Sequence, residues 1–152
     1  MRFSVKRSVK LSALVVFGAF FFVTSGLMAQ APVGVWQTIG DKGEDKGKVQ
    51  STIQIYEYDG KLGGRVTKLV KDPEAKCHES CPGNKANAPI LGMNIMWGFK
   101  KTGDNKWEGK ILDPEDGSIY NCILTVDGNK LNVRGYIGIS LIGRTQTWLR
   151  LN

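Results

Sequence analysis

The sequence predicts an all-β protein: a single antiparallel up-and-down barrel of about eight strands behind an N-terminal export signal. Three observations carry this. From Gln30 onward no 3.6-residue apolar period is sustained, while short runs rich in β-branched and aromatic residues recur between turn signals. The links between these runs are nearly all of hairpin length, whereas a two-sheet sandwich needs long crossovers. The last run can also close the sheet onto the first, which abolishes the exposed edges that an open all-β sheet must otherwise protect.

The first stretch reads as a secretory signal peptide, residues 1–29. Arg2, Lys6, Arg7 and Lys10 form a positive leader, Leu11 to Val23 is an apolar run, and small residues precede Pro32. A retained membrane anchor is the weaker reading, since this run is shorter than the roughly 20 residues that span a bilayer. Cleavage after Ala29 is expected, with Ala31 as the other site. No cysteine lies at the junction to carry a lipid. Of 152 residues, 123 then remain as residues 30–152, enough for one domain with one core. Loss of the four leader cations lowers the formal net charge from +7 to +3. The remaining Lys, Asp and Glu are interleaved, with no basic block of the kind that tracks a phosphate backbone, so nucleic acid is not an expected partner.

The first strand is expected over Gly34–Ile39, followed by a polar loop, Gly40–Gly47. Ser51–Tyr58 and Lys61–Val70 flank Asp59-Gly60, a pair that supplies the positive φ angles of a tight hairpin turn. Ile53 and Ile55 then share a face with Leu62 and Val66. From Lys71 to Pro89 the pattern lapses into a long connection with three prolines and two cysteines, and such a loop inside a compact domain is usually functional or cross-linked. Strands resume at Met93–Lys101 and Lys106–Leu112, then at Ser118–Val126 after the turn Asp113-Pro-Glu-Asp-Gly117, then at Lys130–Ile137 and Gly143–Leu151. Eight strands suit a barrel with room for side chains or one small ligand.

With the strands placed, the chain resembles an exported bacterial family, domain of unknown function 2147. The carriers are Gly34-Val-Trp36, Ile55-Tyr56, Asp59-Gly-Lys61, Gly64-Arg65, the Cys77–Cys81 loop, Pro89-Ile-Leu-Gly-Met93 and Trp97-Gly98. Ile111-Leu-Asp-Pro114 with Gly117 and Tyr120, Arg134-Gly-Tyr-Ile-Gly138 and Gly143-Arg-Thr-Gln-Thr-Trp148 complete the set. The resemblance implies a lipocalin-like barrel. It also implies a closure in which an arginine late in the last strand, Arg144 or Arg150, lies over Trp36 of the opening Gly34-x-Trp36. A guanidinium plane stacks well on an indole while its donors satisfy carbonyls at the closed end. Arg144, Gln146, Trp148 and Arg150 alternate along one face, so both arginines are expected as plugs if that face points inward.

The chemistry-bearing residues are few. Cys77 and Cys81 are expected to form a disulfide; a bridge from this loop to Cys122 is the other pairing. Cys77, His78, Cys81 and Cys122 have the residue types of a zinc site but not its spacing, and Cys-x-x-Cys-His is absent. His78 is the chain's one histidine, which leaves little from which to build an activated nucleophile. Asp113, Glu115 and Asp116 read as turn residues before they read as an acid–base pair. Cys122 alternates with Tyr120 and Leu124 and reads as a small buried hydrophobe. No motif calls for a cofactor or a catalytic role.

The expected function is therefore that of an exported, cofactor-free, non-enzymatic barrel binding a small apolar or amphipathic molecule. Trp36, Tyr56, Trp97, Tyr120, Tyr136 and Trp148 are the candidate lining, and the Lys71–Pro89 loop lies over one mouth. The alternative is an envelope interaction or structural protein whose barrel is filled by the same aromatics.

Overall fold

A computed structural model describes residues 30–152 of the chain. The expected signal peptide, residues 1–29, lies outside the described residues. Among the described residues no helix is long and apolar enough to cross a membrane.

Eight strands form: β1 (Gly34–Ile39), β2 (Val49–Tyr58), β3 (Lys61–Leu69), β4 (Asn94–Gly103), β5 (Lys106–Leu112), β6 (Ile119–Asp127), β7 (Lys130–Tyr136) and β8 (Arg144–Arg150). Each pairs antiparallel with the next, and β8 returns to β1, so the sheet is a closed antiparallel barrel in strict chain order. The local chemistry explains the hairpins. At the β2–β3 turn Asp59 and Gly60 take φ of 50° and 69°, the left-handed pair of a type I′ turn whose twist matches its strands. Ile53 then faces Val66 across the pair, Ile55 faces Gly64, and all four aliphatic residues Ile53, Ile55, Leu62 and Val66 are buried.

The register is interrupted where the wall must bend. Shifts occur at Thr38/Ile39 and Thr52/Ile53, and on β4, where Gly64 pairs with Met96 while Arg65 pairs with Asn94. The extra residue, Ile95, is buried alongside Met96, as expected of a bulge that curves a strand.

Strand direction sorts the connections into two ends. The tight turns at 59–60, 104–105 and 128–129 share one end with the start of β1 and the finish of β8. The connections 40–48, 70–93, 113–118 and 137–143 share the other. The polar 40–48 loop is closed on itself by Gly40 N–H to the Lys48 carbonyl (2.9 Å) and Gly47 N–H to the Gly40 carbonyl (2.8 Å). Near the hairpin end Trp36, Ile55, Phe99, Leu124 and Leu131 are fully buried and fill the barrel.

The long 70–93 connection is tied down by Cys77–Cys81, a disulfide with S–S 2.09 Å. Cys77 N–H donates to the Ala88 carbonyl (2.8 Å), Ile90 N–H to the Ala75 carbonyl (2.9 Å), and His78 N–H to the Pro114 carbonyl (2.9 Å). The last of these docks the cysteine loop onto the β5–β6 turn. Gly117 makes the docking possible, because a Cβ there would lie 2.5 Å from the Ser80 carbonyl carbon.

Candidate functional site: a cup with a plugged floor

Above the filled half the barrel is hollow. A cavity of about 940 Å³ opens at the loop end. Its walls are apolar, from Ile53, Val66, Leu69, Ile95, Ile111, Leu112, Val133 and Trp148, with Ile90 added by the cysteine loop. Polar groups enter higher up: Thr38 and Ser51, whose hydroxyls share a 2.7 Å hydrogen bond, then Gln146 and Tyr120. The rim is charged, with Asp41, Lys42, Asp45, Lys71, Asp72, Lys76, Glu115 and Arg144 around the mouth together with His78. Apolar depth under a charged rim is the surface an amphipathic shape complements.

The floor is closed by three residues from the two ends of the described chain. The Arg150 guanidinium lies 4.1 Å over the Trp36 ring. It donates through Nη1 to the Val33 carbonyl (3.0 Å) and through Nη2 to the Ala31 carbonyl (3.2 Å). The indole Nε1–H donates to the Pro32 carbonyl at 2.7 Å. Gly34 adopts φ +136°, and a Cβ there would sit 2.8 Å from Arg150 Nη1, so the guanidinium occupies space that only glycine leaves open.

The expectation that Arg144 belongs to the same plug needs correction. Arg144 forms an ion pair with Asp41 at the rim. Alternation gives a side chain's face but not its height, and six residues at about 3.3 Å each carry the strand from floor to mouth. Asp41 itself was missed in sequence, because its partner lies 103 positions away.

Four of the six aromatic lining candidates are corrected as well. Trp36 is 0% exposed and belongs to the floor. Tyr56 lies on the outer wall, donating to Asn94 Oδ1 (2.8 Å) with Arg65 6.0 Å over its ring. Trp97, following the β4 bulge, stacks beneath the Lys85 ammonium at 4.9 Å, also away from the cup. Tyr136 alternates with cup-lining Val133 and Gly135 and faces outward. Tyr120 and Trp148 do line the cavity. The aliphatic wall and Gly135, absent from the candidate list, supply most of the rest; the signal that finds them is strand parity counted across the bulges.

The titratable groups show what the rim and core do. Asp41's carboxyl is held below the ordinary range, chiefly by its bond to Arg144. A depressed carboxylate adds stability above its unfolded value, and that contribution disappears as pH falls through the folded value. In Arg144→Gln the Asp41 titration should move back up toward the ordinary carboxylate range, read by NMR of the carboxyl carbon. Stability at neutral pH should change by less than about 1 kcal/mol because the pair is exposed. Cys122 is the free thiol among the described cysteines, buried in the core, and burial pushes it up to about 12. Native protein should accordingly leave a chromogenic disulfide reagent unreacted at pH 8, and unfolding should release one reactive thiol.

Fold and site together define a lipocalin-like barrel: eight antiparallel strands, a tryptophan–arginine floor, and a cup open at the other end. The chain belongs to the family described as uncharacterized protein conserved in bacteria, domain of unknown function 2147, whose model matches residues 34–150. Among solved structures it is similar to protein HP1028 of Helicobacter pylori, described as belonging to the lipocalin family. The TM-score is 0.66 at 24% identity, covering 79% of this chain and 82% of that one. No curated protein matches the chain significantly. At this identity the likeness speaks for the fold.

Proposed function

We propose that the protein is an exported, non-enzymatic carrier that holds a small apolar or amphipathic molecule in its cup. The apolar part lies against Ile53, Val66, Ile95, Val133 and Trp148, and a polar end meets the charged rim. The cavity carries this reading: about 940 Å³ of open, apolar-walled space is at the upper end of small-molecule sites. It runs against the filled-barrel alternative, because four of the six aromatics expected to fill the interior lie in the floor or outside the wall, and the other two, Tyr120 and Trp148, line the open space. The Cys77–Cys81 disulfide is compatible with an oxidising compartment, which agrees with export.

Binding without catalysis is supported by the state of the possible nucleophiles and bases. Cys122 is protonated and buried. His78 uses Nδ1 to accept the Ser80 N–H at 3.1 Å within its own loop. Asp113 and Asp116 accept the Glu115 and Ser118 N–H groups and so serve their turn.

Native mass spectrometry of protein purified from its own envelope, with displacement of an environment-sensitive fatty-acid dye, tests the reading. A bound mass or saturable dye displacement is expected. Absence of both overturns it.

A further inference from the structure

The β7–β8 connection at the rim is built to stay apolar and exposed. Ile137, Ile139, Leu141 and Ile142 are 70%, 58%, 86% and 79% exposed, in a fold whose other large aliphatics are mostly inside. The loop is not free to fold these side chains into the cup. Arg134 donates through Nε to the Ser140 carbonyl (2.8 Å), through Nη2 to the Leu141 carbonyl (3.2 Å) and through Nη1 to Thr145 Oγ1 (2.9 Å). Ser140–Ile142 forms a 3-10 turn. Gly143 lies so close to the Gly135 carbonyl that a Cβ would approach it to 2.7 Å. Exposing an aliphatic cluster on a braced loop costs solubility, and such patches mark sites of contact.

The residues around the tip are layered. No charged residue occurs from Gly135 to Gly143. Behind the aliphatic tip comes the outward-facing phenol of Tyr136, and behind it on the same wall are Arg134 and Lys110, whose Nζ reaches Asn121, the cross-strand partner of Tyr136. Arg134 bonds only carbonyls and a hydroxyl, so its charge has no carboxylate against it. Aliphatic, aromatic and cationic groups in that order match the hydrocarbon, interfacial and phosphate depths of a phospholipid leaflet. The other rim connections carry Asp41, Glu44, Asp45, Asp72, Glu79 and Glu115, which prefer water, so this one sector of the rim is suited to enter lipid. A second copy is a poorer fit: a seven-residue loop, 137–143, falls well short of the roughly 20–30 residues per side of a stable dimer.

We propose that the 137–143 loop inserts into the surface of an anionic phospholipid membrane, holding the mouth of the cup against the lipid. The insertion rests on the loop alone. Its use, loading or unloading an amphipathic molecule directly from the leaflet, rests on the carrier reading above.

Co-sedimentation of the purified protein with phosphatidylcholine–phosphatidylglycerol vesicles, against vesicles of phosphatidylcholine alone, is the test. Wild type should bind the anionic vesicles more tightly. Leu141→Asp with Ile142→Asp should weaken binding about tenfold or more, since two apolar insertions are lost. Tyr58→Asp, an exposed site at the opposite end of the barrel, should bind like wild type. The double variant should keep dye binding in lipid-free solution, so loss of vesicle binding and loss of cup binding are separately read. Absence of wild-type vesicle binding, or equal binding by the double variant, overturns the proposal. So does a concentration-dependent dimer in lipid-free solution that the double substitution abolishes, because the occupant is then a second copy.

Discussion

Trp36→Ala should lower the melting temperature by roughly 10–20 °C, the largest stability loss expected of a single substitution in this barrel. Trp36 is fully buried at the floor, and replacing a core tryptophan with alanine costs about 3–5 kcal/mol through lost burial and the cavity left behind. Two further losses follow from the geometry. The Pro32 carbonyl forfeits its 2.7 Å donor, and Arg150 loses the ring beneath it. Against a typical stability of about 5–15 kcal/mol this brings a domain near its limit. Trp36→Phe separates the contributions: it keeps most of the apolar bulk and loses the Nε1–H donor, so its cost should be nearer 1–2 kcal/mol. Thermal unfolding followed by circular dichroism measures both. If the alanine variant melted no lower than the phenylalanine variant, the indole would not be the anchor of the floor.

The parts of this structure legible in the sequence are those specified locally. Asp59-Gly60 fixes a turn by its own φ preferences, and alternation around Ile53 and Ile55 fixes which face is buried. Eight such strands with short links leave closure as the way to remove edges. The parts that were not legible depend on height or distance. Arg144 and Arg150 share a face, yet one pairs with Asp41 at the rim and the other covers Trp36 at the floor. The bulges at Thr52/Ile53 and along β4 reset parity, so counting from one strand end misassigns Trp97. Tyr56 was the avoidable miss, since it directly follows inward-facing Ile55. In sequence the aliphatic loop is only the end of the Lys130–Ile137 strand and the link to Gly143; the bracing by Arg134 and the exposure of its side chains show that they are held outward.

Gly135→Phe should abolish high-affinity dye binding while leaving the fold intact. Gly135 lines the cup on β7, and a Cβ there would meet nothing nearer than Tyr120 Cβ at 3.6 Å, ordinary van der Waals contact. A phenyl group has open space ahead of it, so the overpacking penalty of about 1–3 kcal/mol that a filled core would impose does not apply in full. The ring takes volume near the mouth of the cavity, at the height of Arg144 and beside Tyr120, above the apolar wall that Val133 and Trp148 supply. Affinity for a fatty-acid dye should fall at least about tenfold, as expected when a few buried methylene contacts are lost at about 0.8 kcal/mol each. The melting temperature should stay within about 5 °C of wild type, given the modest strain and the usual scaling of stability with temperature. Vesicle binding through the 137–143 loop should be unchanged, because the new ring enters the cup whereas the loop's aliphatic side chains are exposed outside it. A variant that melts normally and still binds dye with wild-type affinity would show that the dye does not occupy the cup.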